Sequence, residues 1–167
     1  MLDIYDSQGK KTGKVIERGA ALAKGEYQLA AAAVIINQGK FLITQRHPAK
    51  QMGLLWEVPG GAVEAEETSR SAAIRELKEE IGIHVQASEI QFIEKVCYDP
   101  LHLLIDGFCV SQNIELAELV LQPEEVVAAR FASFAEIEEL QRRGQFTPFD
   151  FKLCQLIQKR QMKGRTK

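Results

Sequence analysis

The sequence predicts an α+β fold, a mixed β-sheet sandwiched between helices on both sides. Three observations lead there. Short apolar segments of strand character recur between turns bearing Gly, Pro and Asn. Three helical segments interrupt them, each opened by a capping residue. The 167 residues are 46% hydrophobic and 26% charged, ordinary for a domain whose core needs no disulfide or metal staple. A single domain over 1–167 is expected, with a β arm over 1–26 and a closing helix over 147–162.

Each element has a local reason. Asp6-Ser7-Gln8-Gly9 is a turn between short strands at Leu2–Tyr5 and Gly13–Glu17. Tyr27–Asn37 is a strand, and Asn37-Gln38-Gly39-Lys40 turns it into Phe41–Arg46. His47–Gly53 is a loop. Leu55–Val58 is a short strand that Pro59-Gly60-Gly61 stops. Ser69–Ile81 is a helix with Thr68 or Ser69 as its N-cap and Gly82 as its C-cap. Ile90–Tyr98 and Leu103–Ser111 form a strand pair around Asp99-Pro100. Glu115–Leu121 and Val126–Ala132 are two further strands. Ser133 and Glu136 form a capping box that opens a helix to about Arg142. Thr147-Pro148 opens the last helix, with proline in its first turn.

Composition excludes several classes of function. The formal net charge is −2, so no global field favours nucleic acid or a membrane surface. The longest apolar run, Leu29–Ile36, is far too short for a bilayer span. The first residues are charged and show no signal-peptide core. Cys97, Cys109 and Cys154 are odd in number and widely spaced, the pattern of reduced cytoplasmic thiols. The cationic C-terminal stretch, Lys159 to Lys167, reads as a solvated terminus.

Chemistry concentrates between Gly60 and Ile83. At about 100° per residue, Glu79 and Glu80 flank Glu76 on the helix at about 60° and 40°. Three carboxylates thus share about one third of its surface, beside a stripe of Ile74, Leu77 and Ile81. Like charges so placed repel, and no equal number of cations lies on that arc. A hard divalent cation with oxygen ligands would relieve them.

The full spacing is more specific than the cluster. Gly61, five residues, Glu67, seven residues, Arg75-Glu76-Leu77, one residue, Glu79-Glu80, one residue, Gly82-Ile83 resembles the Nudix box at every specified position. Chance would produce it with a probability on the order of 10⁻⁷. The lead-in Trp56-Glu57-Val58-Pro59-Gly60-Gly61 is similar too. The resemblance implies an α/β/α sandwich and hydrolysis of a nucleoside diphosphate linked to another group, with Mg²⁺ or Mn²⁺. By position it implies that Glu76, Glu79 and Glu80 are metal ligands, joined by the Gly60 carbonyl. Glu67 and Arg75 would pair to hold the loop to the helix and orient Glu76.

Outside the box, Glu124 and Glu125 precede a strand where some family members place a further glutamate, so Glu125 is a further metal candidate. Arg46 and Lys50 are candidates for the substrate's phosphates. Tyr27, Tyr98 and Phe108 could stack on a base. The arm, from Asp3-Ile4-Tyr5-Asp6 to Gly25-Glu26-Tyr27, resembles the Nudix branch that includes isopentenyl-diphosphate isomerases. Those use a cysteine near the box, where this chain has Pro59 and Gly61. An isomerase and a catalytically silent binding protein are therefore the alternatives to a hydrolase. The expected partner is a small nucleotide, with no nucleic acid and no membrane; a homodimer is left open.

Overall fold

The structure is a computed structural model and describes residues 1–165. Lys167, the last cation of the C-terminal stretch, lies outside the described residues. In chain order the strands are β1 (Leu2–Tyr5), β2 (Lys11–Ile16), β3 (Gln28–Asn37), β4 (Lys40–Arg46), β5 (Trp56–Glu57), β6 (Gly60–Ala62), β7 (Ile90–Tyr98), β8 (Leu103–Val110) and β9 (Val126–Ala132). The helices are α1 (Ser69–Ile81), α2 (Phe134–Arg142) and α3 (Pro148–Arg165). β1 and β2 form a separate hairpin sheet. The main sheet runs β5-β4-β3-β8-β7, with β6 on β3 and β9 on β4.

The sheet is mixed because β3 and β8 pair in parallel, from Gln28 opposite Leu103 to Ile35 opposite Val110, while β7 and β8 are antiparallel. Strand alternation divides β3 between two cores. Leu29, Ala31, Ala33 and Ile35 pack with Leu77 and Ile81 of α1. Ala32 and Val34 pack with Leu153 and Ile157 of α3. The alanines let helices approach the sheet closely from both sides. On α1, Leu77 and Ile81 are fully buried, each stabilising by about 1.5–3 kcal/mol. Thr68 caps that helix by accepting from the Ser71 amide, and Gly82 ends it at φ 73°.

Two expected elements differ. The short strand before Pro59 does end, at Glu57, but a further strand begins at once, since Gly60–Ala62 pairs antiparallel with Ala30–Ala32. A Cβ at Gly60 would strike the Ala31 carbonyl, so glycine permits this approach. Glu115–Leu121 is not a strand. Leu116–Glu118 forms a 3₁₀ turn closed by a Glu115/Glu118 capping box, a local arrangement that competes with ladder pairing. The Val120 and Gln122 amides then donate to the carbonyls of Ile81 and Glu80. They satisfy acceptors that the end of α1 leaves open, and they fasten this segment beside the acidic helix.

Candidate active site

The chain after β6 turns into α1, and Arg75 fastens the two together. Its Nε donates to Glu67 Oε1 at 3.0 Å. Its Nη2 donates to Glu67 Oε2 at 2.9 Å and to the Ala62 carbonyl at 3.0 Å. Its Nη1 donates to Glu76 Oε1 at 2.7 Å and to Glu79 Oε2 at 3.3 Å. The guanidinium fork thus spans the loop, the end of β6 and two carboxylates of the helix. These acceptors raise its pKa, Glu67 most of all.

The three glutamates of α1 have unequal surroundings. Glu79 is the exposed one, with half its side chain in solvent. Glu76 is buried, and its carboxylate faces Gly61 so closely that a Cβ there would collide with it. Burial raises the Glu76 pKa, and Arg75 opposes the rise. Glu80 is the most buried, 2% exposed, and its Oε2 accepts from the Gly60 amide at 3.2 Å. Its pKa is pushed up to about 8, first by burial and then by the charges of Glu57 and Glu76.

The cluster has more cationic relief than the helix arc alone suggests. Arg75 serves Glu76 and Glu79. Lys50 reaches in from the loop after β4, pairing with Glu125 and lying 4.0 Å from Glu80 Oε1. Arg46 is engaged elsewhere: its Nη1 donates to Glu57 Oε2 at 2.6 Å and its Nε to the Gln51 carbonyl at 2.9 Å.

Two hollows meet along β6. A polar cleft of about 380 Å³ holds Glu76, Glu79, Glu80, Glu125, Lys50 and Arg18. An apolar cavity of about 210 Å³ lies beyond it, walled by Met52, Val58, Leu101, Leu103, Ile105 and Phe149. Arg46, Gly60, Gly61 and Ala62 line both. Glu57 and Asp150 also line the cavity, and Glu57 Oε1 is buried without a hydrogen-bond partner.

Sequence reasoning missed Arg18, Glu57, Asp150 and Phe149. Glu57 lies in the quoted lead-in to the box, and Asp150 sits three residues past the cap Thr147, whose hydroxyl donates to it at 2.8 Å. Neither spacing says what the side chain faces. Of the aromatic candidates, Phe108 is core, edge-on to Phe92. Tyr27 is buried with its hydroxyl donating to Asp99 Oδ1 at 2.7 Å. Tyr98 packs edge-on to Phe149.

The donor set suits a hard cation, being all carboxylate and carbonyl oxygen. Among the described residues, no three acidic, His or Cys side chains are gathered tightly enough to hold an ion as they stand. Arg75 and Lys50 draw the carboxylate oxygens toward themselves. The cleft nonetheless gathers Glu64, Glu76, Glu79, Glu80 and Glu125 beside the glycine loop, oxygen donors of the kind a divalent ion takes. The residues therefore fit a divalent ion.

Fold and cleft together define a class of protein: an α/β/α sandwich carrying an acidic helix behind a glycine loop. The NUDIX domain profile matches residues 26–155, and the chain belongs to the NUDIX family. It is a hydrolase of that family. It is 34% identical over 152 residues to the uncharacterized Nudix hydrolase lmo0368 of Listeria monocytogenes, covering 89% of each chain. It is 34% identical over 91 residues to the 8-oxo-dGTP diphosphatase of Proteus vulgaris, covering 53% of this chain and 80% of that one. In fold it is similar to the crystal structure of DR0079 from Deinococcus radiodurans, with a TM-score of 0.72 at 19% identity, over 87% of this chain and 91% of that one.

Proposed function

We propose that this hydrolase cleaves a diphosphate linkage in a nucleoside-diphosphate derivative by attack of water at phosphorus, with Mg²⁺ or Mn²⁺. The carrying observation is the polar cleft that holds Glu76, Glu79 and Glu80, meeting an apolar cavity along β6. The cleft suits a charged diphosphate and the cavity suits the organic group attached to it. The relative from Proteus vulgaris, named for a diphosphatase of a modified nucleotide, supports a nucleotide as substrate.

In this reading Glu76, Glu79, Glu80 and the Gly60 carbonyl hold the ion, with Glu125 close by. What the ion supplies when bound is charge neutralisation on the diphosphate and activation of the attacking water. Arg75 and Glu67 position Glu76. A carboxylate of the cluster takes the water's proton. Lys50 and Arg46 stand where phosphate oxygens enter, once drawn from their present partners. The three free thiols suit a reducing compartment such as the cytoplasm. Among the described residues, no helix is long and apolar enough to cross a membrane. No cysteine lines the cleft or the cavity, so the isomerase alternative gains no thiol acid there.

The test is a hydrolysis screen with Mg²⁺ and Mn²⁺ over nucleoside di- and triphosphates, ADP-ribose, dinucleoside polyphosphates and coenzyme A. Turnover of the best substrate should vanish with EDTA and return with either ion. Turnover that survives metal removal would sink this reading.

A further inference from the structure

We propose that Arg18, on the N-terminal arm, is a substrate-binding residue that grips a phosphate of the diphosphate in the cleft. This rests on the diphosphate-hydrolase reading and extends it to a residue outside the matched NUDIX segment, residues 26–155.

Among the described residues, four cations line the cleft: Arg18, Arg46, Lys50 and Arg75. Three are engaged, Arg46 with Glu57, Lys50 with Glu125, and Arg75 with Glu67 and Glu76. Arg18 is exposed and forms no hydrogen bond or ion pair with any described residue. Its charge is near enough to Glu76 to favour the ionised carboxylate, yet Arg75 already holds that group. A cation kept beside a crowded acidic site and left unpaired is available to an incoming anion. A guanidinium fork matches phosphate oxygens in pairs.

The backbone holds Arg18 there. Glu17, Arg18, Gly19 and Ala20 form a tight turn, in which the Ala20 amide donates to the Glu17 carbonyl at 3.1 Å. Gly19 takes φ 89° at the third position, as a type II turn requires, and Arg18 stands at the second. Two residues earlier, Ile16 packs with Leu2, Ile4 and Ala62 in a small core of its own. Ala62 lines the cleft. The Ala65 amide donates to the Met1 carbonyl at 3.0 Å, and the Glu66 amide to Asp3 Oδ2 at 3.0 Å. The arm is thus fastened to the loop between β6 and α1, and Arg18 sits at the cleft's rim.

Binding of methylene diphosphonate, a non-hydrolysable diphosphate, with Mg²⁺ is the direct probe. By calorimetry, Arg18→Ala should weaken it about tenfold or more, the range of a charged hydrogen bond. Arg18→Lys should recover most of the affinity. Lys24→Ala, which removes an exposed charge of the same arm, should leave it within twofold, and thermal melts of all three should match the native protein. With the best nucleotide, Arg18→Ala should raise KM and hold kcat within about twofold. An Arg18→Ala affinity within twofold of native, an equal loss in Lys24→Ala, or no binding by the native chain overturns the proposal. Arg18-dependent binding without hydrolysis of any nucleotide defeats the hydrolase reading alone. Hydrolysis with an Arg18-independent KM defeats the Arg18 role alone.

Discussion

The polar cleft and the apolar cavity share the short strand β6 and almost nothing else. The cleft is dominated by one helix: Glu76, Glu79 and Glu80 all come from α1, with Arg75 beside them. The cavity draws Met52, Val58, Leu103 with Ile105, and Phe149 from four separate parts of the chain. Both hollows contain buried carboxylates, but with different surroundings. Glu80 in the cleft faces Gly60, Lys50 and other acids. Asp150 at the cavity is fully buried, accepting from the Thr147 hydroxyl at 2.8 Å and the Val58 amide at 3.2 Å. Charge gathered on one helix suits a shared anionic core of many substrates. A wall assembled from distant elements can vary without disturbing that charge, which is where discrimination between substrates belongs.

The sharpest way to break this division is Glu80→Gln. It should lower kcat by about 10² or more, in the range for losing a key electrostatic group. Folding should survive, because a neutral amide can still accept from the Gly60 amide and no longer faces Glu57 and Glu76 as an anion. Melting without metal should give an equal or slightly higher Tm. Near-native turnover would remove Glu80 from the chemistry.

A smaller and complementary effect is expected from Ala30→Leu, on the β3 face that borders the cavity. Narrowing the cavity should raise KM for the best nucleotide about tenfold, the scale of a changed fit in an apolar pocket. Affinity for methylene diphosphonate should not change. Loss of both together would mean that the two hollows act as one site.

The smallest effect concerns stability. Burial, and then the charge of Glu57, push the Asp150 carboxyl up to about 7 from 3.8. Between those values the folded chain holds a proton that the unfolded chain has released. Stability from this group is therefore greatest below about pH 4 and falls as pH rises through about 7. Asp150→Asn keeps an acceptor for Thr147 and Val58 and abolishes that fall. It should raise Tm at pH 8 by about 2–4 °C, equivalent to about 1 kcal/mol, and change it little at pH 4. A pH-independent difference would show that Asp150 is not the titrating group.

By itself, the sequence determined what depends on neighbours along the chain. The capped helix Ser69–Ile81, the glutamates on one arc of it, the glycine loop before it and the strand periodicities are all short-range regularities, so spacing alone exposes them. Glu115–Leu121 failed that reading because a local capping box outcompeted strand pairing, and the new strand at Gly60–Ala62 escaped it because its partner, β3, lies far back along the chain. Tertiary structure alone decided which cations meet the cluster and what encloses the cavity. Lys50 meets Glu125 across 75 residues of chain, and Asp150 meets Val58 across 92. Arg18 reaches the cleft because the arm's small core of Leu2, Ile4 and Ile16 packs against Ala62 and the arm is hydrogen-bonded to the loop before α1. Contacts of that kind follow from how sheet and helices close around a shared core, and no periodicity along the chain encodes them.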